Sequence, residues 1–367
     1  MTVEKQNIKH LKPPVFAVAP MIDWTDRHCR YFHRQLSWRA VLFTEMVVAD
    51  AIIHGPRARL LGHDAAEHPV VLQLGGSDPA KLAEAVRMAA EFAYDEINLN
   101  VGCPSDRVQS GTFGACLMKT PALVAECVSA MKRVTALPVT VKCRIGVDEQ
   151  EPEKVLPDFL ARVIDAGSDA VWIHARKAWL QGLSPKENRE IPPLDYALVH
   201  AMKREFSGTF IGINGGIADL DAAVAQLIHV DGVMLGRAAY QNAGLLTGVD
   251  AAIYGEGALA DPSPQGGGTP SFDWLVLRDT MMAYAERVMA SGGRLHHVTR
   301  HMVGLFQGFA GARRYRQILS SEATKAGVGP ELIAEAFAAV DLAAGPKAAA
   351  GGAATGGAAA DAARLAG

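Results

Sequence analysis

Eight short apolar runs recur along this chain, and each ends on residues that have no place in a hydrophobic core. The runs cover 15–19, 40–44, 70–74, 97–101, 139–143, 170–174, 210–213 and 232–235. All are rich in Val, Ile or Leu, and none alternates cleanly with polar residues. Continuous apolar strands are what a parallel sheet covered by helices requires. Amphipathic stretches at 81–92, 122–134 and 156–166 separate them; the first follows the helix-start signal Asp78-Pro79, and the third runs into Gly167, a C-cap candidate. Eight strands alternating with helices over roughly 250 residues is the arithmetic of a TIM barrel. An open doubly wound sheet also alternates, so the strand ends decide. They carry Pro20-Met21, Glu45, Gln73, Asn98 and Asn100, Lys142 and Arg144, His174 and Arg176, Asn214, and Gly236-Arg237. In a barrel all eight ends converge on one mouth, whereas in an open sheet they could not. The expected fold is α/β: a TIM (β/α)8 barrel followed by a small all-helical domain.

The domain plan follows from where this pattern stops. Residues 255–271 (GEGALADPSPQGGGTPS) are rich in Gly and Pro and read as a linker. Beyond it only helical patterns occur, to about 342. Residues 343–367 are almost entirely Ala and Gly, lack an apolar face, and read as a disordered tail. The plan is therefore a barrel over 1–254, a linker over 255–271, a helical domain over 272–342 and a tail over 343–367.

Several function classes drop out. No run of 18 apolar residues exists, so no membrane span is expected, and the N-terminus MTVEKQNIKHLKPP lacks the apolar region of a secretory signal. The cysteines Cys29, Cys103, Cys116, Cys127 and Cys143 include no Cys-x-x-Cys pair, which favours free thiols in a reducing cytoplasm over a zinc or disulfide scaffold. No metal and no obligate protein partner is expected. Walker-type phosphate loops and Gly-x-Gly-x-x-Gly are absent. With a net charge of -3, any nucleic acid must meet a local basic patch.

The strand ends suggest chemistry. Asn214-Gly215-Gly216 and Gly236-Arg237 follow the seventh and eighth strands, the usual phosphate position in barrels, where small residues let backbone N–H groups approach an anion. A tight turn is the plain alternative for Gly-Gly. Lys142 and Arg144 lie two apart and so share a side. A cation there would stabilise a reduced flavin, and Gln73 could hydrogen-bond the same ring; an ion pair with Glu45 is the structural alternative. His174 and Arg176 repeat the spacing. Cys103 sits just past the fourth strand in NLNVGCPS, in the active-site loop layer. A free thiol, with an ordinary pKa of about 8.5, is mostly protonated at neutral pH and can donate a proton. Cys29, Cys127 and Cys143 read as packing residues.

Taken together, NLNVGCPSDRVQSGTFGACLM, VKCRIG, HARKAWLQGLSPKENR, INGGI, MLGRAAY and TRHMVGLFQGFAGARRYRQILS resemble the tRNA-dihydrouridine synthase family, specifically its A subfamily, in order and over 14–338. The resemblance implies an FMN-binding barrel and a helical RNA-binding domain. It implies reduction of the C5–C6 bond of a D-loop uridine in tRNA, at position 20 or 20a. The carried-over roles are Pro20, Met21, Gln73, Lys142 and His174 toward the isoalloxazine, and Asn214, Gly215, Gly216, Gly236 and Arg237 toward the phosphate. Cys103 would be the general acid, protonating C5 after hydride reaches C6. Asn100, Arg176, Lys186 and Arg300 would meet the tRNA, FMN would bind noncovalently, and NADPH would be the reductant.

Residues 294–316 hold Arg294, Arg300, Arg313, Arg314 and Arg316 with three histidines and no Asp or Glu, a concentrated positive segment suited to phosphate contacts. A solvated helix face is the alternative. Two rivals stay open: a flavin barrel acting on a small metabolite, such as a dihydroorotate dehydrogenase, and a tRNA-binding protein whose barrel has lost its activity. The first has no need of the basic segment, and intact Cys103, Lys142 and His174 speak against the second.

Overall fold

The computed structural model describes residues 9–105, 113–255 and 272–346. All eight expected strands form: β1 (Val15–Val18), β2 (Val41–Val48), β3 (Val70–Gly75), β4 (Glu96–Val101), β5 (Val139–Arg144), β6 (Ala170–His174), β7 (Phe210–Asn214) and β8 (Gly232–Leu235). They close into one parallel barrel in sequence order, with β8 pairing back onto β1. The first expected helix starts at Asp78, whose carboxylate accepts from the N–H groups of Ala80 and Lys81, and Pro79 opens Pro79–Ala89. The helix Pro152–Asp165 ends where Gly167 adopts φ +98°, a conformation other residues resist.

The barrel closes around Trp172 of β6, which is fully buried. Its indole needs room, and Gly212 on β7 and Gly232 on β8 supply it. A Cβ at Gly212 would lie 2.3 Å from the ring, and one at Gly232 2.7 Å. Val15, Ala17, Val41, Phe43, Val71 and Met234 pack around it, with Phe43 edge-on at 6.3 Å. This dry layer makes the lower barrel a core and not a pore.

One irregularity matters at the top. The β2–β3 register shifts between Phe43 and Met46. Thr44 Oγ1 there accepts from Gln73 N and donates to the Glu45 carbonyl. The bulge re-aims Glu45, whose carboxylate accepts from Asp23 N at 2.5 Å.

The chain divides into two compact units, Met1–Ala239 with Leu245–Ala258, and Tyr240–Gly244 with Leu259–Gly367. Within the second, Trp274–Ala290 is capped by Asp273, and Leu295–Thr299, Ala312–Gln317 and Glu331–Ala338 follow. Phe306 is its hub, meeting Trp274, Tyr315 and Phe337 edge-on with centroids 4.9 to 5.2 Å apart. Most of the residues read as linker (256–271) and tail (347–367) lie outside the described ones. The described part runs slightly past the expected tail start: Asp341 N donates to Ala310 O, and Pro346 bridges Phe309.

Candidate active site

Strand register brings the polar ends together. Gln73 lies opposite Asn98, Asn100 opposite Lys142, Arg144 opposite His174, and His174 opposite Asn214. Adjacent positions in a parallel barrel are fixed by the ladder, so these side chains gather at one mouth.

Cys103 begins the loop after β4. Asn100 Oδ1 accepts from the N–H groups of Gly102 at 3.1 Å and Cys103 at 2.9 Å, tying the loop to the strand that launches it. The thiol is partly buried, with Ser105 Oγ at 3.5 Å. Asn100 Nδ2 donates to Gln73 Oε1, and Gln73 Nε2 donates to Asn98 Oδ1, both at 2.8 Å. The loop continues into 106–112, outside the described residues.

Among the described residues Lys142 meets no carboxylate. Its Nζ donates to Asn214 Oδ1 at 3.0 Å, while Asn214 Nδ2 donates to the Met234 carbonyl. Burial, helped by Arg144, pushes the ammonium down to about 8. The Asn214 amide is thus engaged within the protein, and Gly215 and Gly216 are left to offer backbone. Arg144, read beside Lys142 as a cation for a ring, takes another part. Its Nε donates to Gly102 O, and its Nη1 to Lys177 O and Asn188 O, at 2.9 to 3.0 Å. It clamps the Cys103 loop to the β6 loop. The alternative partner Glu45 contacts neither cation, being held by Asp23.

His174 is pushed well below its ordinary value, first by burial and then by Arg144, Lys142 and Arg176, so it is a neutral imidazole at physiological pH. Its Nε2 and the Nε of Arg176 are buried without a hydrogen-bond partner among the described residues. A buried polar atom of this kind calls for a partner, water or ligand, that it can bond. Arg176 Nη1 reaches the carbonyls of Glu190 and Pro192.

The two glycine loops after β7 and β8, expected to hold a phosphate, differ. Gly215 and Gly216 have φ of +109° and +71°; a Cβ at Gly216 would meet Leu194 Cδ1 at 2.4 Å. Their glycines are demanded by the chain itself. Gly236 is different: a Cβ there would make only ordinary contacts, 3.5 Å from Met21 Sδ and 3.6 Å from Ala19. This places Met21 beside the second loop. Arg237 is paired with Glu190 at 2.5 Å. Pro20 is partly buried, and Lys186 is exposed on the β6 loop.

Arg300, Arg313 and Arg314 belong to the second unit and are exposed. Arg314 pairs with Glu322, from outside the acid-free segment. Arg300 Nε donates to His301 Nε2 at 3.0 Å, and the buried His301 places Nδ1 3.0 Å from the Tyr240 hydroxyl. Asn188, Glu190 and Tyr196, whose hydroxyl donates to Gly215 O, escaped the sequence reading, because nothing in a loop's composition says which backbone it will meet. Asn98 and Glu96 were more accessible: with Asn100 they alternate on one face of a buried strand, where polar residues need partners.

A closed (β/α)8 barrel whose mouth gathers a loop thiol, a buried imidazole with Nε2 unsatisfied among the described residues, and a lysine and an arginine held by neutral oxygens is a catalytic barrel in design. A family model described as Dihydrouridine synthase (Dus) matches residues 17–341. The chain is 52% identical over 338 residues to the tRNA-dihydrouridine(20/20a) synthase of Shewanella oneidensis, spanning 92% of this chain and 97% of that one. It is 53% identical over 322 residues to the protein of the same name from Xanthomonas campestris pv. campestris, spanning 87% and 92%. With that from Escherichia coli K12 it shares 55% over 314 residues, spanning 85% and 87%. This chain belongs to the dihydrouridine synthase family.

Proposed function

We propose that the protein reduces the C5–C6 double bond of a uridine in the tRNA D-loop, at position 20 or 20a, using noncovalently held FMN with NADPH as reductant. The relatives' names support the product and its position, and the mouth supports the chemistry. The observation that carries the reading is the polar capacity left unpartnered at the mouth among the described residues, His174 Nε2 and Arg176 Nε, beside a lysine bonded to an amide oxygen. An anionic, carbonyl-rich ring system fits that donor set.

Lys142, His174 and Gln73 would hold the isoalloxazine, with Pro20 and Met21 against it; the backbone at Gly215, Gly216 and Gly236, with Arg237, would hold the phosphate. Bound FMN, once reduced, supplies the hydride that C6 of the base accepts. Lys142 would place positive charge beside the isoalloxazine ring. Asn100 and Arg176 orient the uracil, and the thiol of Cys103 gives its proton to C5. The target base reaches a barrel mouth only by leaving its stack. Lys186, Arg300, Arg313 and Arg314 would hold tRNA phosphates.

Cys103→Ala tests the reading. Flavin content and NADPH oxidation should be retained, while dihydrouridine formation on tRNA falls about 10² to 10⁴-fold, the usual contribution of a general acid. Near-normal product would remove Cys103 from the mechanism. Equal activity on free pyrimidines would favour the small-metabolite reading.

A further inference from the structure

Gln73 and Asn100 do not end at each other. Asn98 Nδ2 donates to Thr140 Oγ1 at 2.8 Å, and the Thr140 hydroxyl donates to Glu96 Oε1. Glu96 Oε2 lies 2.9 Å from His10 Nε2. Glu96, Asn98, Thr140 and Gln73 are each at most 1% exposed, and Asn100 is 7% exposed. A single file of polar side chains therefore runs through the barrel interior to the Cys103 loop, beside an otherwise apolar core.

The direction of every bond in the file is determined. Backbone N–H groups only donate, so Asn100 Oδ1 is the acceptor for Gly102 and Cys103, and its two lone pairs are filled. Its Nδ2 must then face Gln73 Oε1, which turns Gln73 Nε2 to Asn98 Oδ1, which turns Asn98 Nδ2 to Thr140. Facing a carboxylate, the Thr140 hydroxyl turns its proton outward, and Glu96 accepts it. The far end is a carboxylate, an acceptor by nature, so the two ends of the file agree. If either Asn98 or Gln73 turned its amide over, two like groups would face each other in a low-dielectric interior.

We infer that Glu96, Thr140 and Asn98 are positioning residues for the reaction: they lock the amides of Gln73 and Asn100 in one orientation and, through Asn100, hold the Cys103 loop. A consequence is that the hydrogen-bonding capacity of Asn100 outside the file, among the described residues, is one N–H. It can serve a carbonyl oxygen of the base, not an amino group. The inference rests on the proposed reading of Cys103 and Asn100 as groups that meet the uracil.

The test uses Thr140 in the full-length, flavin-loaded protein. Thr140→Val keeps the shape and removes the hydroxyl; Thr140→Ser keeps the hydroxyl. Thr140→Val should lower kcat for dihydrouridine formation per bound flavin by about 10²-fold, as a misplaced catalytic group does. KM for tRNA should change less than kcat, and Thr140→Ser should recover most of the loss. Peptide-resolved iodoacetamide labelling should show Cys103 reacting several-fold faster in Thr140→Val than in Thr140→Ser, as the loop loosens. If Thr140→Val does not fold, Thr140→Cys, with its weak hydrogen-bonding thiol, takes its place and must fall about tenfold below Thr140→Ser. Equal kcat and equal labelling in the hydroxyl-bearing and hydroxyl-free variants would overturn the inference, as would equal losses in both. Labelling does not depend on the role of Cys103, so an active Cys103→Ala protein would sink the proposed mechanism and leave this result to be judged by itself.

Discussion

The barrel mouth and the basic segment of the helical unit both concentrate positive charge, and they do so by opposite means. At the mouth, Lys142 is bonded to the Asn214 amide, Arg144 to three backbone carbonyls, and Arg176 to two more. Neutral oxygens orient these cations without cancelling their charge, and burial drives Lys142 down to about 8 and Arg144 to about 10. Segment 294–316 instead leaves its arginines exposed, and Arg314 already has a carboxylate partner. Charge of the first kind suits a particular ligand, and holding it costs stability. The second kind attracts a polyanion through counterion release and tolerates imprecise geometry.

The sharpest way to break this contrast is to remove one arginine of each kind. Arg144 is 3% exposed and satisfies the carbonyls of Gly102, Lys177 and Asn188. Arg144→Met should cost about 3 kcal/mol or more, since each abandoned buried acceptor costs about 1 to 3 kcal/mol. It should also cut turnover by unclamping the Cys103 loop. Arg313→Met, at an exposed position, should stay within about 0.5 kcal/mol. Urea unfolding midpoints measure both, and similar losses would erase the distinction.

The two glycine loops after β7 and β8 offer the next comparison. Gly216→Val must fail whatever the loop binds, because φ is +71° and Leu194 stands 2.4 Å from the new Cβ. Gly236→Val should fold normally, since its Cβ meets nothing closer than 3.5 Å in the protein, yet the added bulk should deny backbone approach to an anion. The expected outcome is a well-folded, colourless protein. Full flavin occupancy in Gly236→Val would remove this loop from the phosphate site.

These loops also show where reading a sequence stops. The barrel was legible because its demand is repetitive: eight buried strands need eight apolar runs, and a closed barrel needs polar residues at one end of each. The gathering of Gln73, Asn100, Lys142, His174 and Asn214 follows from that topology alone. Which glycine is steric and which is open was not legible, since it depends on Leu194 and Met21, far away in the chain. The part Arg144 plays was hidden for the same reason: its partners are backbone carbonyls, which every residue carries. Thr140 looked like one more β-branched strand residue, and only the register placing it opposite Asn98 reveals its hydroxyl as a link.

A smaller effect separates the regions by pH. Lys142 titrates at about 8 in the folded protein against an ordinary 10.5. Below about pH 8 the fold carries the full cost of a charged, desolvated ammonium. Between about 8 and 10.5 the unfolded chain binds the extra proton, so stability rises with pH through this window. Wild-type protein without flavin should therefore gain melting temperature relative to Lys142→Met as pH rises from 7.5 to about 10. A constant difference across the window would mean that the lysine is solvated and that the mouth holds no uncompensated charge.

The smallest expected effect lies within the basic segment, where the two kinds of charge meet. Arg300 is exposed, and its Nε–H donates to His301 Nε2, so Nδ1–H of His301 is the donor toward Tyr240. Arg314 shares its charge with Glu322, and an exposed pair of that sort is worth about 0.2 to 1 kcal/mol, which a phosphate contact must compete with. Both arginines carry the same charge, so counterion release alone would treat them alike. Orientation should make Arg300 the better contact. Arg300→Ala should lower the log–log salt slope of tRNA binding by about 0.7 to 0.9, with Arg314→Ala clearly below that. His301→Phe, which keeps the arginine but removes its anchor, should fall between them and add nothing to Arg300→Ala in the double variant. Fluorescence titrations of tRNA at several salt concentrations give all four slopes. Equal slopes for Arg300→Ala and Arg314→Ala, with His301→Phe at wild type, would show that this segment acts as diffuse charge and that placed cations are confined to the mouth.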